Sequence, residues 1–172
     1  MVYSEQGSRL RPSIRVTNLI VFSACVIAVL ITVFYFQKTL GLTPCPLCVT
    51  QRAFVIAIGI IALVAFIHHP GAGGIKVYAG LGAIAAIGGG CVSARHIWLQ
   101  NLPEELVPAC GPGLSFILET MPLWEAIKVL FQGDGDCADV VWTLFGVSIP
   151  GWTLVAFIGF TLINVWQLFR KA

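Results

Sequence analysis

Charge is what this sequence has least of. Only 10% of its 172 residues are Asp, Glu, Lys or Arg, against 58% hydrophobic residues, and the mean hydropathy is +0.90. So few charges cannot cover the surface of a soluble domain of this length, which excludes a water-exposed globule. The ten Lys and Arg are scattered and the net charge is +2, so no basic surface for nucleic acid is present. The sequence also lacks a nucleotide-binding glycine fingerprint and any sign of haem or flavin attachment.

What it does have is long apolar runs. Four stretches, at about 16–36, 46–67, 76–95 and 149–169, reach the roughly 20 residues that cross a bilayer. They predict an all-α integral membrane protein, a four-helix transmembrane bundle forming one domain over residues 1–172. A short loop, 37–45, follows the first span, and a long loop, 96–148, separates the third from the fourth. The first run is longer than the apolar core of a signal peptide, and Gln37-Lys38-Thr39-Leu40 follows it in place of a small-x-small cleavage site. It reads as a retained span. Gly82, Ala86 and Gly90 form a stripe of small residues that lets another helix approach. In the long loop, Leu123, Ile127, Leu130 and Phe131 share one face of an expected helix, with Trp124 beside them. Such a helix lies on the bilayer or packs on the end of the bundle.

The chemistry concentrates at Thr43-Pro44-Cys45-Pro46-Leu47-Cys48-Val49-Thr50-Gln51-Arg52. Pro46 suits the first position of a helix, where its missing N–H would go unpaired anyway. Cys45 is then the N-cap and Cys48 lies in the first turn. Free backbone N–H groups and the positive end of the helix dipole favour a thiolate there. Arg52, at i+4 from Cys48, adds a fixed positive charge on the same face. A Cys-x-x-Cys pair in this setting is the layout of a redox-active dithiol. The competing readings are a structural disulfide and half of a zinc site.

Topology prunes the pairings of the six cysteines. Cys45 and Cys48 lie between the first two spans, Cys110 and Cys137 between the last two, so all four share one side of the membrane. Cys25 and Cys91 fall within spans and read as small apolar side chains. A zinc site from the four loop cysteines fails on spacing, because Cys110 and Cys137 are far apart with no histidine near either in their loop. No metal is expected. Asp134, Asp136 and Asp139 begin like a calcium loop, but Ala138 stands at the third ligand position and no closing glutamate follows. The segment reads instead as a solvated turn presenting Cys137. Arg9, Arg11, Arg15, Lys76, Arg170 and Lys171 lie on one side, and Lys38, Arg52, Arg95 and Lys128 on the other. That bias puts both termini in the cytoplasm and the cysteine loops in an oxidising outer compartment. His96 sits at the depth of Cys48 and Arg52, placed to hydrogen-bond a carbonyl oxygen of a lipid-soluble acceptor. A surface dithiol can pass two electrons and two protons to a quinone in the bilayer, with Arg52 stabilising charge on the quinone oxygen.

Three segments carry a family resemblance: Pro-Cys-Pro-Leu-Cys-Val-Thr-Gln-Arg at 44–52, Arg-His-Ile-Trp-Leu-Gln at 95–100 and Gly-Asp-Cys-Ala at 135–138. Together they resemble the DsbB family of bacterial inner-membrane thiol oxidases, whose known partnership with DsbA and quinone keeps the periplasm oxidised. The resemblance extends over essentially the whole chain. It implies that Cys110 and Cys137 form the loop disulfide attacked by a periplasmic DsbA-like thioredoxin-fold oxidase, with Cys110 in the mixed disulfide. It implies that Cys45 passes oxidising equivalents to that loop, and that Cys48, Arg52 and His96 serve a quinone, ubiquinone or menaquinone. Two alternatives stand beside it. One is an enzyme of the vitamin K epoxide reductase type, in which the Cys-x-x-Cys lies on a later helix. The other is a non-enzymatic membrane subunit whose disulfides only staple its loops.

Overall fold

The computed structural model describes residues 13–111, 116 and 119–170. The amino-terminal arginines Arg9 and Arg11, and Lys171, lie outside the described residues. Four helices are long and apolar enough to cross a membrane. The first, α1, runs Ile14–Leu30 and continues as wider π-helical turns over Ile31–Thr39. The others are α2, Pro46–His68, α3, Ala72–Gln100, and, after the long loop, α5, Ile149–Phe169. The loop carries α4, Leu123–Gln132, a tight turn at Gly135–Cys137, and a two-stranded hairpin of β1, Thr143–Leu144, and β2, Val147–Ser148.

The helix ends follow from local chemistry. Pro46 opens α2 behind an extended Cys45 (φ −72°, ψ 164°), so the proline removes an N–H that the first turn could not pair. At the other end His69 takes a left-handed conformation (φ 51°) and Pro70 forbids continuation. Ser13 caps α1, accepting a hydrogen bond from the Val16 N–H.

Without a strong hydrophobic force between helices in lipid, close approach decides the packing. α3 lies along α5, and α2 sits between α1 and α3. On α3, Gly82 lies under the Asn164 carboxamide, Ala86 is fully buried, and Gly89 lies directly under the ring of Phe157. The contact stripe is therefore Gly82, Ala86 and Gly89, whereas a methyl group added at Gly90 would meet Phe157 only at ordinary contact distance, 3.8 Å. Helical periodicity explains the change of register, since i+7 returns to the face better than i+8. Cys25 packs on Gly59 of α2 inside the core with Val21, Val55 and Ile58, as a small apolar side chain. Cys91 faces outward.

The loop elements are tied to the same end of the bundle. α4 packs on it, because Thr50 donates its hydroxyl to the Leu130 carbonyl at 2.8 Å, Arg95 Nε donates to the Gln132 carbonyl at 2.9 Å, and Phe131 meets Phe54 edge-on. Gly133 (φ 73°) then turns the chain inward against Leu47 and Leu99. This turn delivers Cys137 to the start of α2.

Candidate functional site

Four expected residues meet where α2 begins and α3 ends. The Cys45 and Cys48 sulfurs are 3.1 Å apart, and His96 Nε2 lies 3.8 Å from Cys45 Sγ. Cys137 is fully buried beside Leu47, Val92 and Leu99, with Cys45 packed against it. Cys45 therefore stands between two other sulfurs. Its thiol hydrogen-bonds Cys137, and this contact, with Cys48 and burial adding to it, holds the Cys45 proton more tightly than usual. The same contact favours the anion at Cys137, whose pKa is lowered. All six cysteines are free thiols in this structure.

Cys110 is exposed and stands apart from that cluster, but the segment that carries it is bound to the same turn. Gly135 N–H donates to the Ala109 carbonyl at 3.3 Å. A side chain at Gly135 would come within 3.1 Å of Cys110 Sγ. The Gly135–Cys137 turn thus has Cys110 on one side and Cys45 on the other. Asp136 hydrogen-bonds the Cys110 thiol and repels its anion, so the Cys110 pKa is raised. In a Cys110–Cys137 disulfide, attack at Cys110 is then favoured, because it releases the lower-pKa sulfur, Cys137.

Cys48 also faces a cavity of about 300 Å³ lined by α1, α2, α5 and the hairpin. Its walls are apolar, with Phe36, Trp142 and Trp152 among them, and its polar groups include Arg52 and Gln51. Arg52 stands one turn after Cys48 on the same wall. His96 is not among the lining residues. It is buried on the thiol side, where its Nδ1 is 3.1 Å from Gln51 Nε2. A largely apolar lining with a few polar groups, Cys48, Arg52 and Gln51 among them, is the make-up of a site for a mostly apolar ligand.

The ligand atoms of Cys45, Cys48 and His96 lie within 4.8 Å of one another, close enough to consider a metal. Two thiolates on one tetrahedral zinc are separated by about 3.8 Å, given bonds of about 2.3 Å. At 3.1 Å the two sulfurs are also within reach of closing a disulfide bond of about 2.05 Å.

Three residues at the site have places that the sequence did not assign to them. Gln51 carried a signal, because a polar side chain at i+3 from Cys48 in an apolar helix needs a buried partner. Asp134 corrects the expectation of a solvated turn. It is buried, and among the described residues neither carboxyl oxygen has a hydrogen-bond partner. Trp142 gave no signal, since its role depends on the hairpin that carries it.

The sequence profile described as "Disulfide bond formation protein DsbB" matches residues 14–167. The chain is 55% identical over 161 residues to "Disulfide bond formation protein B" of Saccharophagus degradans, covering 94% of this chain and 96% of the relative. It is 47% identical to the protein of the same name from Nitrosococcus oceani, with 94% and 95% covered. For that of Methylococcus capsulatus the identity is 46%, with 92% and 98% covered.

Proposed function

The chain belongs to the DsbB family of membrane disulfide bond formation proteins, and from that premise we propose that it reoxidises a periplasmic DsbA-like oxidase and passes the electrons to a membrane quinone. The observation that carries this reading is the position of Cys48. It shares one wall of an apolar cavity with Arg52 while its partner Cys45 touches Cys137 on the other side. The dithiol thus stands between an apolar cavity and a loop cysteine.

The exchanges balance as follows. In the oxidised protein the bonds are Cys45–Cys48 and Cys110–Cys137. A thiolate of the reduced partner attacks Cys110 Sγ, and Cys137 leaves as an anion, which the backbone N–H groups of Leu47 and Asp134 favour. Cys137 then attacks Cys45 Sγ, to which it already lies adjacent, and releases Cys48 as a thiolate next to Arg52. The partner's second thiolate attacks its own mixed disulfide, so the partner departs oxidised and Cys110 is freed. Cys110 then attacks Cys137 Sγ, restoring Cys110–Cys137 and releasing Cys45.

The Cys45–Cys48 dithiol remains to be reoxidised. A bound quinone, ubiquinone or menaquinone, supplies that step by accepting two electrons and two protons. Arg52 holds a polar oxygen and offsets negative charge in a site that needs little reorganisation. Phe36, Trp142 and Trp152 line the cavity and would flank the flat ring of such a group.

Orientation follows from the charge bias, with termini cytoplasmic, the cysteine loops periplasmic, and the whole chain one domain of the inner membrane. The test mixes the purified protein with a short-chain quinone and a reduced thioredoxin-like oxidase and follows quinone absorbance. Loss of quinone absorbance matched one to one by oxidation of the partner dithiol is expected. Partner oxidation with no quinone consumed overturns the reading.

A further inference from the structure

We propose that Gln51 is a positioning residue, whose carboxamide fixes the tautomer of His96 so that Nε2–H points at the redox sulfurs. The geometry runs in a line. Gln51 Nε2 lies 3.1 Å from His96 Nδ1, and His96 Nε2 lies 3.8 Å from Cys45 Sγ with Cys48 Sγ in the same cluster. Gln51 and His96 are both more than nine-tenths buried, so water does not compete for these contacts. An amide nitrogen only donates, so the Nδ1 facing it carries a lone pair, and a neutral ring then bears its proton on Nε2.

The consequence is chemical. An imidazole with Nε2–H donates a hydrogen bond to a sulfur anion released at Cys45 or Cys48, and it cannot take the proton of a thiol. His96 is thereby an anion-stabilising donor on the thiol side of the dithiol. The groups facing it are Cys45 and Cys48 at the start of α2, Gln51 from α2, and Cys137 from the loop turn. Only Gln51 touches Nδ1 among the described residues, so only Gln51 selects the tautomer. Gln51 also lines the cavity, so one side chain borders both the acceptor space and the histidine.

This inference rests on the reading of Cys45–Cys48 as the redox pair, but its first readout needs neither quinone nor partner. The reduced full chain is labelled with nitrogen-15 histidine in lipid nanodiscs, and the His96 ring signals are identified by their loss in His96→Ala. The expected spectrum has Nε2 protonated and Nδ1 bare. Gln51→Glu, close in shape, presents an acceptor to Nδ1 and moves the proton there; Gln51→Leu gives a mixture. A ring that keeps the same protonated nitrogen in both variants overturns the proposal, as does a parent spectrum with Nδ1 protonated. The second readout is the rate at which the dithiol is reoxidised. Gln51→Leu slows it in proportion to the rings that no longer present Nε2–H, about twofold for an even mixture. Adding Gln51→Leu to His96→Ala slows it no further than His96→Ala alone, whereas an additive loss shows that Gln51 acts by another route and overturns the proposal.

Discussion

Trp142 of the loop and Phe36 of α1 meet edge-on, with ring centroids 5.1 Å apart and planes at 79°. Both rings line the cavity that contains Cys48 and Arg52. The contact joins the segment leading into β1 to the π-helical end of α1, so it closes the cavity wall between two elements far apart in sequence. Edge-to-face aromatic pairs contribute about 0.5–1.5 kcal/mol beyond their buried area. Trp142→Ala is therefore expected to raise KM for a short-chain quinone by roughly three- to tenfold, as that energy implies. Exchange between the partner and Cys110 should be unaffected. Steady-state quinone reduction at varied quinone concentration, alongside stopped-flow partner oxidation, separates the two effects.

Cys48 and Arg52 make different demands on the same reaction. Cys48→Ser removes the sulfur that faces the cavity and should abolish quinone reduction while the thermal transition stays near that of the parent. Arg52→Ala leaves every sulfur in place, so thiol trapping should still find both disulfides. Quinone reduction should fall by about two orders of magnitude, the usual effect of removing one charge-stabilising group. Normal turnover by both variants would remove this cavity from the mechanism.

Much of the architecture was legible because bilayers impose a simple length rule. The four apolar runs marked four helices, and Pro46 marked the start of α2 within one residue. The end of α1 was harder. The run Gln37-Lys38-Thr39 is polar, yet the helix continues through it in π-helical turns to Thr39, which no local pattern marks. At the site, Cys45, Cys48 and Arg52 were readable because they lie within the first two turns of one helix. His96 was readable by depth but not by side, since its facing depends on Gln51 and on the crossing of α2 and α3. The burial of Asp134 and the hairpin wall were hidden for the same reason, because both arise from contacts made across the long loop.

The α3–α5 contact allows a paired test of packing. A methyl group at Gly89 meets the ring of Phe157, which is itself fully buried. Gly89→Ala should therefore destabilise the bundle by about 1–3 kcal/mol, as overpacking does. Gly80 lies on the same helix with nothing within 4 Å of an added methyl group. There Gly80→Ala should stabilise by roughly 0.5–1 kcal/mol through helix propensity alone. Thermal unfolding of both variants in one detergent should give shifts of opposite sign. Equal shifts would mean that the two helices do not approach as closely as Gly89 and Phe157 do here.

Asp134 gives the turn that carries Cys137 a dependence on pH. Burial, with the Asp136 charge adding to it, pushes the Asp134 carboxyl above the usual carboxylate range. The folded turn therefore binds that proton more tightly than the unfolded chain does. Between the ordinary carboxylate pKa and the raised one, the folded state holds more protons, so stability falls as pH rises through that window. The penalty is absent below it and fully present above it. Asp134→Asn removes the ionisation, so the turn should lose this slope and be more stable than the parent at neutral pH. The amides to watch are Cys137, which donates to the Asp134 carbonyl at 3.1 Å, and Ala138, which donates to Gly135 at 2.9 Å. Hydrogen exchange at these two sites, corrected for the intrinsic rate at each pH, should show protection declining with pH in the parent and flat in the variant. A parent whose protection instead grows through the carboxylate range would mean that the Asp134 anion is stabilised in the folded turn, reversing the sign argued here.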